Sequence, residues 1–153
     1  DRLLCRAMLP QSLKDEDKIT RLQLCQMLLP LADPSTSGPM PADTHDPAAI
    51  LCAKNAFLPL DASGCLRPHD TITRREMATV LMQACGVSYK NASTTMPVCE
   101  DASEVGQHYG TNAARALYFG FMTLEAERFH PLRPVTVGEA IAMLNRVADF
   151  AGL

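Results

Sequence analysis

Three short segments share one pattern: residues 19–24 (ITRLQL), 72–77 (ITRREM) and 135–140 (VTVGEA). Each has a β-branched residue, then Thr, and then Gln or Glu three places after the Thr. This is the pattern of a capping box, in which the Thr side chain accepts a hydrogen bond from the third helical residue, and the Gln or Glu side chain accepts one from the Thr N–H. Three such boxes, each opening an apolar segment with helical periodicity, predict three copies of one helical unit.

A second helix is predicted before each capping box, at residues 3–9, 46–57 and about 111–121. In the middle copy, Asp46 can cap the helix and Pro47 stands at its favoured first position. Each unit therefore combines two amphipathic helices, and one helix pair cannot bury its apolar faces alone. We expect the three capped helices to pack together in one shared core.

The loop between the two helices carries an apolar residue two places before a proline in two of the units. These residues are Leu66 before Pro68 and Phe129 before Pro131, and we expect both to be buried. The linkers between units are rich in Pro, Ser, Thr and Asp, which favours surface loops over strands. The predicted units, of which the first is shortened at its N-terminal side, comprise residues 1–34, 45–88 and 98–153 and together form one module.

Composition favours an all-α fold. The 153 residues include 20 Ala, 19 Leu and 8 Met but only 11 Val and Ile together, and the first group prefers helices to sheets. The net charge is −3 and the 14 basic residues are scattered, so no nucleic-acid partner is expected. No apolar run approaches the roughly 18 to 20 residues that span a bilayer, so no membrane insertion is expected.

The six cysteines form no C-x-x-C pair and show no zinc-ribbon spacing, so no metal site is predicted. A core of this size needs no disulfide framework. Cys25 and Cys85 lie on apolar helices, and we expect them to be buried free thiols. Cys65 and Cys99 lie in loops and are expected to be more exposed.

Together these features resemble the S-layer homology (SLH) repeat, in which a helix, a loop with an apolar residue before x-Pro, and an ITR-x-E motif opening a second helix follow one another. The middle unit carries the resemblance in residues 65–86 (CLRPHDTITRREMATVLMQACG). The third unit carries it in residues 99–103 (CEDAS) and 128–147 (RFHPLRPVTVGEAIAMLNRV), and the first in residues 18–28 (KITRLQLCQML). Such repeats typically occur as triplets.

The resemblance implies three helix-loop-helix repeats around a pseudo-threefold axis, sharing a central helical core. It also implies that the chain anchors an exported bacterial protein at the extracellular face of the cell wall, with the export signal and further domains of the parent protein outside this chain. The family's ligand is an anionic, often pyruvylated, cell-wall polysaccharide that binds in grooves between neighbouring repeats. That polysaccharide is the implied partner.

The family's Thr-Arg motif supplies an arginine to the anionic sugar. Residue by residue, this role falls on Arg21 in the first unit and Arg74 in the second. The implied ligand-binding set consists of these arginines and of their capping boxes: Thr20, Gln23, Thr73 and Glu76.

The third unit departs from the family pattern. It has Val137 in the arginine position, followed by Gly138, so its groove is expected to be weakened. The chain also contains no Trp, whereas the family has one at the start of the first helix. His108 or Tyr109 falls near that position in the third unit.

Arg21 and Arg74 are also unusual on physical grounds. A cation at the first position of a helix is opposed by the helix dipole, by about 0.3 to 1 kcal/mol. One explanation is an anion site, in which the arginine and the free N–H groups of the helix start converge on a carboxylate or phosphate. The other is that each arginine donates to a carbonyl of the adjoining loop. The sequence leaves both explanations open.

No catalytic motif is recognisable in the sequence, which lacks a nucleophile elbow, a phosphate-binding loop, an HExxH segment and a dinucleotide-binding glycine pattern. We therefore expect a binding module rather than an enzyme, with no cofactor. The alternative to cell-wall anchoring is a structural or protein-interaction module that keeps the scaffold and has lost carbohydrate binding.

Overall fold

The structure, a computed structural model, describes residues 9–86 and 94–152 of the chain. Their regular secondary structure consists of five α-helices and two short 3-10 helices, and their only β-type pairings are isolated bridges between loop residues. The all-α prediction is therefore confirmed for the described residues. The α-helices are α1 (Arg21–Leu28), α2 (Pro47–Lys54), α3 (Arg74–Cys85), α4 (Gln107–Tyr118) and α5 (Val137–Ala151).

The helices α1, α3 and α5 each begin at a capping box, as predicted. Thr20, Thr73 and Thr136 have extended backbones, and both hydrogen bonds of the box are present at each of them. The helices α3 and α5 end at Gly86 and Gly152 in the left-handed conformation, which glycine adopts without a steric penalty. Capping side chains therefore set where these helices begin, and a glycine sets where two of them end.

The helices that precede the boxes match the prediction less closely. The helix α2 begins at Pro47, and the Asp46 side chain accepts a hydrogen bond from the Ala48 N–H, as expected. The helix α4 begins at Gln107, so the start predicted near Thr111 was wrong. Gly106, at φ 88°, turns the chain into the helix with no side-chain cap, and a start of this kind carries little sequence signal. The helix predicted at residues 3–9 lies almost entirely outside the described residues.

A hydrophobic core joins the helices. The helix α2 packs against α1, and α3 packs against both α4 and α5. Leu66 and Phe129, the apolar loop residues before proline, are fully buried, which confirms that prediction. Ile19, Ile72 and Val135, which precede the three caps, are fully buried as well. Each such side chain contributes roughly 1.5 to 3 kcal/mol on burial, so the capped helix starts are anchored in the core.

The start of each capped helix binds a loop of another of the three predicted units, and we call each such contact a junction. At every junction, the first two N–H groups of the helix donate to two loop carbonyls, which satisfies groups that have no partner within the helix. The helix starts of the first, second and third units contact loops of the second, third and first units, so the contacts form a closed cycle. The donor and acceptor pairs are Arg21 to Asp70 and Leu22 to Pro68 at the first junction, Arg74 to Arg133 and Arg75 to Pro131 at the second, and Val137 to Asp17 and Gly138 to Asp15 at the third.

The cysteine predictions are confirmed where the structure describes these residues. Cys25 and Cys85 are buried free thiols, whereas Cys65 and Cys99 are free and partly exposed. Cys52 is buried too, and a side-chain hydrogen bond with Cys25 together with burial raises the pKa of its thiol. A raised pKa makes the Cys52 thiol unreactive. Cys25, Cys52 and Cys85 all lie in the core as small apolar residues.

Candidate functional site

The Arg21 side chain crosses the first junction. It is only 3% exposed, and its guanidinium group contacts three groups of the second unit. Nε donates to the Leu66 carbonyl at 2.7 Å, one terminal nitrogen donates to the Pro59 carbonyl at 3.2 Å, and the other lies 3.3 Å from Glu76 Oε2. Arg21 thereby ties the start of α1 to a buried loop and to the capping glutamate of α3.

A cleft of about 60 Å³ opens beside this ion pair. Residues from all three predicted units line it, although they are far apart in the sequence. Its walls are formed by Arg21 on α1, Leu58 and Pro59 after α2, Glu76 and Thr79 on α3, and His108 and Tyr109 on α4.

His108 and Tyr109 form an aromatic rim on the cleft. Their rings meet edge to face, with 4.9 Å between the ring centroids. The guanidinium carbon of Arg75 lies 4.4 Å from the centroid of the Tyr109 ring, which places a cation over the aromatic face. Asn112 Nδ2 donates to Thr79 Oγ1 at 3.3 Å and so ties α4 to α3 behind the rim. These contacts hold the rim in place relative to the ion pair.

Arg74 makes the matching contacts at the second junction. Nε donates to the Phe129 carbonyl at 2.6 Å, one terminal nitrogen donates to the Thr123 carbonyl at 2.8 Å, and the other lies 3.9 Å from Glu139 Oε2. Arg133 lies 3.2 Å from the same Glu139 oxygen and 2.5 Å from Glu125 Oε2. Two arginines therefore share one capping carboxylate at this junction.

The structure separates the predicted ligand-binding residues into two groups. Thr20, Gln23 and Thr73 make the hydrogen bonds that cap their own helices. Glu76 caps its helix and also pairs with an arginine. Its Oε1 accepts from the Thr73 N–H, while its Oε2 faces Arg21. Arg21 and Glu76 thus come together in the cleft, whereas Arg74 lies at the other junction.

Burial lowers the pKa of Arg21 and of Arg74, and the facing carboxylates oppose this effect. An arginine stays protonated at neutral pH even so, because its ordinary pKa lies far above 7. A buried charge persists only when it is paired and hydrogen-bonded, and the loop carbonyls and carboxylates supply those partners. These contacts outweigh the unfavourable helix dipole and explain why an arginine stands at the first helical position.

Two aspartates without a predicted role hold the loops of these junctions. Each accepts from two consecutive backbone N–H groups, and the second residue of each pair has a positive φ near 57°. The signal that could have revealed them is an Asp in the linker shortly before the first helix of both units. The bonds run from Leu66 and Arg67 to Asp43, at 2.9 and 2.8 Å, and from Phe129 and His130 to Asp101, at 2.7 and 2.8 Å.

The two aspartates differ in their exposure. The backbone N–H of Leu66 lowers the pKa of Asp43, which is exposed. Asp101 is only 3% exposed, and its burial acts to raise its pKa. The N–H groups of Phe129 and His130 outweigh this burial, so the net shift of Asp101 is downward as well.

The third junction keeps the backbone bonds but has no arginine. Val137 occupies the position of Arg21 and Arg74 and is fully buried. Gly138 lies against Asp15, and a Cβ on Gly138 would come within 3.2 Å of the Asp15 Cβ. The loop of the first unit therefore packs directly on the start of α5.

The cleft offers a carboxylate, a guanidinium group, hydroxyl groups and an aromatic rim, which suit the binding of a small polar group. Among the residues that the structure describes, no group of three metal-ligating side chains converges. No helix in the described ranges is both long and apolar enough to cross a membrane. No protein-family model matches the chain, and no curated protein matches it significantly.

Proposed function

We propose that this chain is a polysaccharide-binding module that anchors an exported bacterial protein to the cell wall, and that it is not an enzyme. Its three units are then SLH-like repeats around a pseudo-threefold axis. The closed cycle of junctions supports this arrangement, because each helix start binds the next loop through equivalent backbone bonds. The three capping boxes support it as well, since they place the same local structure in each unit.

The cleft at the first junction is the observation that carries the proposal. Arg21 and Glu76 are 55 residues apart in the sequence and meet where two units join. In the family that the sequence resembles, the polymer binds in grooves at such boundaries. His108 and Tyr109 add aromatic surface from the third unit, and aromatic rings present the flat apolar faces on which sugar rings pack.

The proposed partner is an anionic cell-wall polysaccharide at the bacterial surface. Arg21 and Glu76 contact it at the first junction, and Arg74 lies at the second junction as the matching candidate. Thr20, Gln23 and Thr73 act indirectly, because they fix the helix starts that carry these side chains. Neither nucleic acid nor membrane insertion is part of the proposal.

A second candidate is a structural or protein-interaction module that keeps the scaffold without binding sugar. The burial of both arginines favours it, since Arg21 is 3% and Arg74 is 2% exposed. Their hydrogen bonds to loop carbonyls stabilise the junctions whether or not a ligand is present. The Thr-Arg motif is therefore compatible with a purely structural role.

Sedimentation with purified cell-wall sacculi distinguishes the two candidates. The anchoring module should sediment with intact sacculi. It should stay in the supernatant when the anionic polysaccharide, the secondary polymer of the cell wall, has been stripped from them. No sedimentation with either preparation would contradict anchoring and support the structural candidate. Equal sedimentation with both would contradict the anionic polymer as the partner.

A pair of variants on α4 tests whether the cleft is responsible. The double substitution His108→Ala, Tyr109→Leu removes the rim and should weaken sedimentation at least tenfold. Tyr118→Leu is the matched control, because Tyr118 is an aromatic residue on the same helix, is 58% exposed and lies outside the cleft. Equal loss in both variants would remove the cleft from the proposal, provided that their thermal midpoints match the wild type.

A further inference from the structure

We infer that Cys25 and Cys52 are a disulfide-forming pair, and that their oxidation ties the first predicted unit to the second in the exported protein. The inference concerns a covalent modification and does not depend on what the cleft binds. It takes from the proposed function only the oxidising surroundings that an exported protein meets. Three observations carry it: the contact between the thiols, the residues at the equivalent positions of the next helix pair, and the place of the pair beside the first junction.

The two thiols contact each other in the core. Cys25 lies on α1 and Cys52 on α2, and these two helices pack against each other. Their side chains are hydrogen-bonded to each other, and the two residues are 0% and 2% exposed. A bond between two sulfur atoms already in contact needs rotation of the side chains and little movement of the helices. The contact therefore places the two sulfur atoms within reach of a disulfide.

Alanines occupy the equivalent positions of the next helix pair, α3 and α4. Cys25 and Ala78 each stand five residues after the capping Thr of their helix. Cys52 and Ala116 are equivalent because the N–H group five residues later donates to the carbonyl of each. Ala78 and Ala116 are both fully buried. Two alanines are therefore sufficient to fill these positions, so packing alone does not require two thiols between α1 and α2.

A disulfide at this place would reinforce the first junction. Cys25 lies one helical turn after Arg21, and Cys52 lies shortly before Pro59, whose carbonyl accepts from the Arg21 side chain. The bond would close a loop of about 27 residues, and such a link stabilises a fold mainly by restricting the unfolded chain. It would also connect the two helices that lead to opposite walls of the cleft.

The oxidant is an exchanging disulfide, such as oxidised glutathione. One cysteine thiolate attacks it, forms a mixed disulfide and releases one glutathione thiol. The other cysteine thiolate then attacks the protein sulfur and releases the second thiol, so the two protons and two electrons lost by the protein pass to glutathione. In the closed core, the hydrogen bond and burial raise the pKa of the Cys52 thiol and hide it from the oxidant. The exchange therefore takes place during folding, before α1 has closed on α2.

Refolding of the full reduced chain in equimolar oxidised and reduced glutathione tests the inference. Peptide mapping without reduction should recover Cys25 and Cys52 in one linked fragment. The oxidised protein should unfold at a thermal midpoint about 5 to 10 °C above that of the reduced protein. Absence of the linked fragment from the folded protein would overturn the inference, and so would a midpoint that oxidation leaves unchanged or lowers.

Cys25→Ala and Cys52→Ala are the matched variants, because buried alanines stand at the equivalent positions of α3 and α4. Each variant should fold and lose the difference in thermal midpoint between oxidised and reduced protein. Cys65→Ser is the control, since it removes a partly exposed thiol outside the pair and should keep the difference. A difference that survives in Cys25→Ala, or disappears in Cys65→Ser, would assign the effect to other cysteines and overturn the inference.

The inference and the proposed function fail in separate experiments. The linked fragment is sought in purified protein without any polysaccharide, whereas anchoring is tested by sedimentation with sacculi. A chain that sediments with intact sacculi but never forms the link would refute the disulfide and leave anchoring in place. A chain that forms the link but stays in the supernatant would refute anchoring and leave the disulfide in place.

Discussion

The first and second junctions use the same backbone bonds and the same arginine, but different side chains surround that arginine. The loop residue that accepts from the first helical N–H is Asp70 at the first junction and Arg133 at the second. The Asp70 side chain pairs with Arg67, whereas Arg133 turns to the capping carboxylate of α5. A repeated motif therefore sets the scaffold of each junction, and the variable loop residue beside it sets the local charge.

The largest expected difference between the junctions concerns the two arginines. Arg74→Ala should lower the free energy of unfolding by about 3 to 5 kcal/mol, because it removes a fully buried side chain and leaves the Phe129 and Thr123 carbonyls without their donor. Arg21→Ala should cost less, since the cleft lets water reach the groups that lose their partner. Urea unfolding monitored by circular dichroism measures both values.

Arg67→Ala is the control for these substitutions, because the Arg67 side chain is half exposed and its ion pairs are weak surface contacts. It should change the stability little. If Arg74→Ala unfolded at the same urea concentration as Arg67→Ala, the buried arginine would not stabilise the second junction, and this prediction would be wrong.

The next difference concerns the aspartates that hold the two loops. Asp101→Asn should cost about 1 to 3 kcal/mol at pH 7, because Phe129 and His130 donate to different carboxylate oxygens, and the NH2 group that replaces one of them cannot accept. Asp43→Asn at the first junction should cost less, since water replaces the lost hydrogen bond at an exposed site. Unfolding of both variants in urea at pH 7 gives the comparison.

The dependence of stability on pH provides a further test of the role of Asp101. The pKa of Asp101 is lower in the folded chain than the roughly 3.9 of an unfolded aspartate, so its stabilising effect is complete above about pH 4 and is lost as the pH falls through the folded value. The difference in the free energy of unfolding between wild type and Asp101→Asn should therefore become smaller as the pH falls from 5 to 3. A constant difference over this range would contradict the role of the ionised carboxylate.

The smallest expected difference concerns the turn that leads into each loop. Ala56 has φ 58° after α2, and Gly120 has φ 75° at the matching place after α4. Gly120→Ala should cost about 1 to 2 kcal/mol, because a side chain in the left-handed region meets the backbone. Ala56→Gly should relieve this strain, but by less, since glycine also gains entropy in the unfolded chain. Thermal unfolding of both variants measures the effect. If both substitutions raised the thermal midpoint, or both lowered it, the two turns would not be equivalent.

Features that depend on neighbours along the chain could be predicted from the sequence. The three capping boxes, the Asp46 cap and the buried Leu66 and Phe129 follow from side chains within a few residues of one another. The start of α4 could not be predicted in this way, because Gly106 turns the chain without a capping side chain. The roles of Asp43 and Asp101 were missed because their partners are more than 20 residues away.

The sequence by itself determined that the described chain is helical and where its capped helices begin, because capping and periodicity act over one or two helical turns. Only the tertiary structure decided that Arg21 meets Glu76, and that His108 and Tyr109 border the same cleft. That meeting depends on which loop each helix start binds, and so on packing between segments distant in sequence. The same packing leaves the identical motif at Arg74 beside Arg133 instead, because a side chain acquires its charge environment only from the neighbours that the fold brings to it.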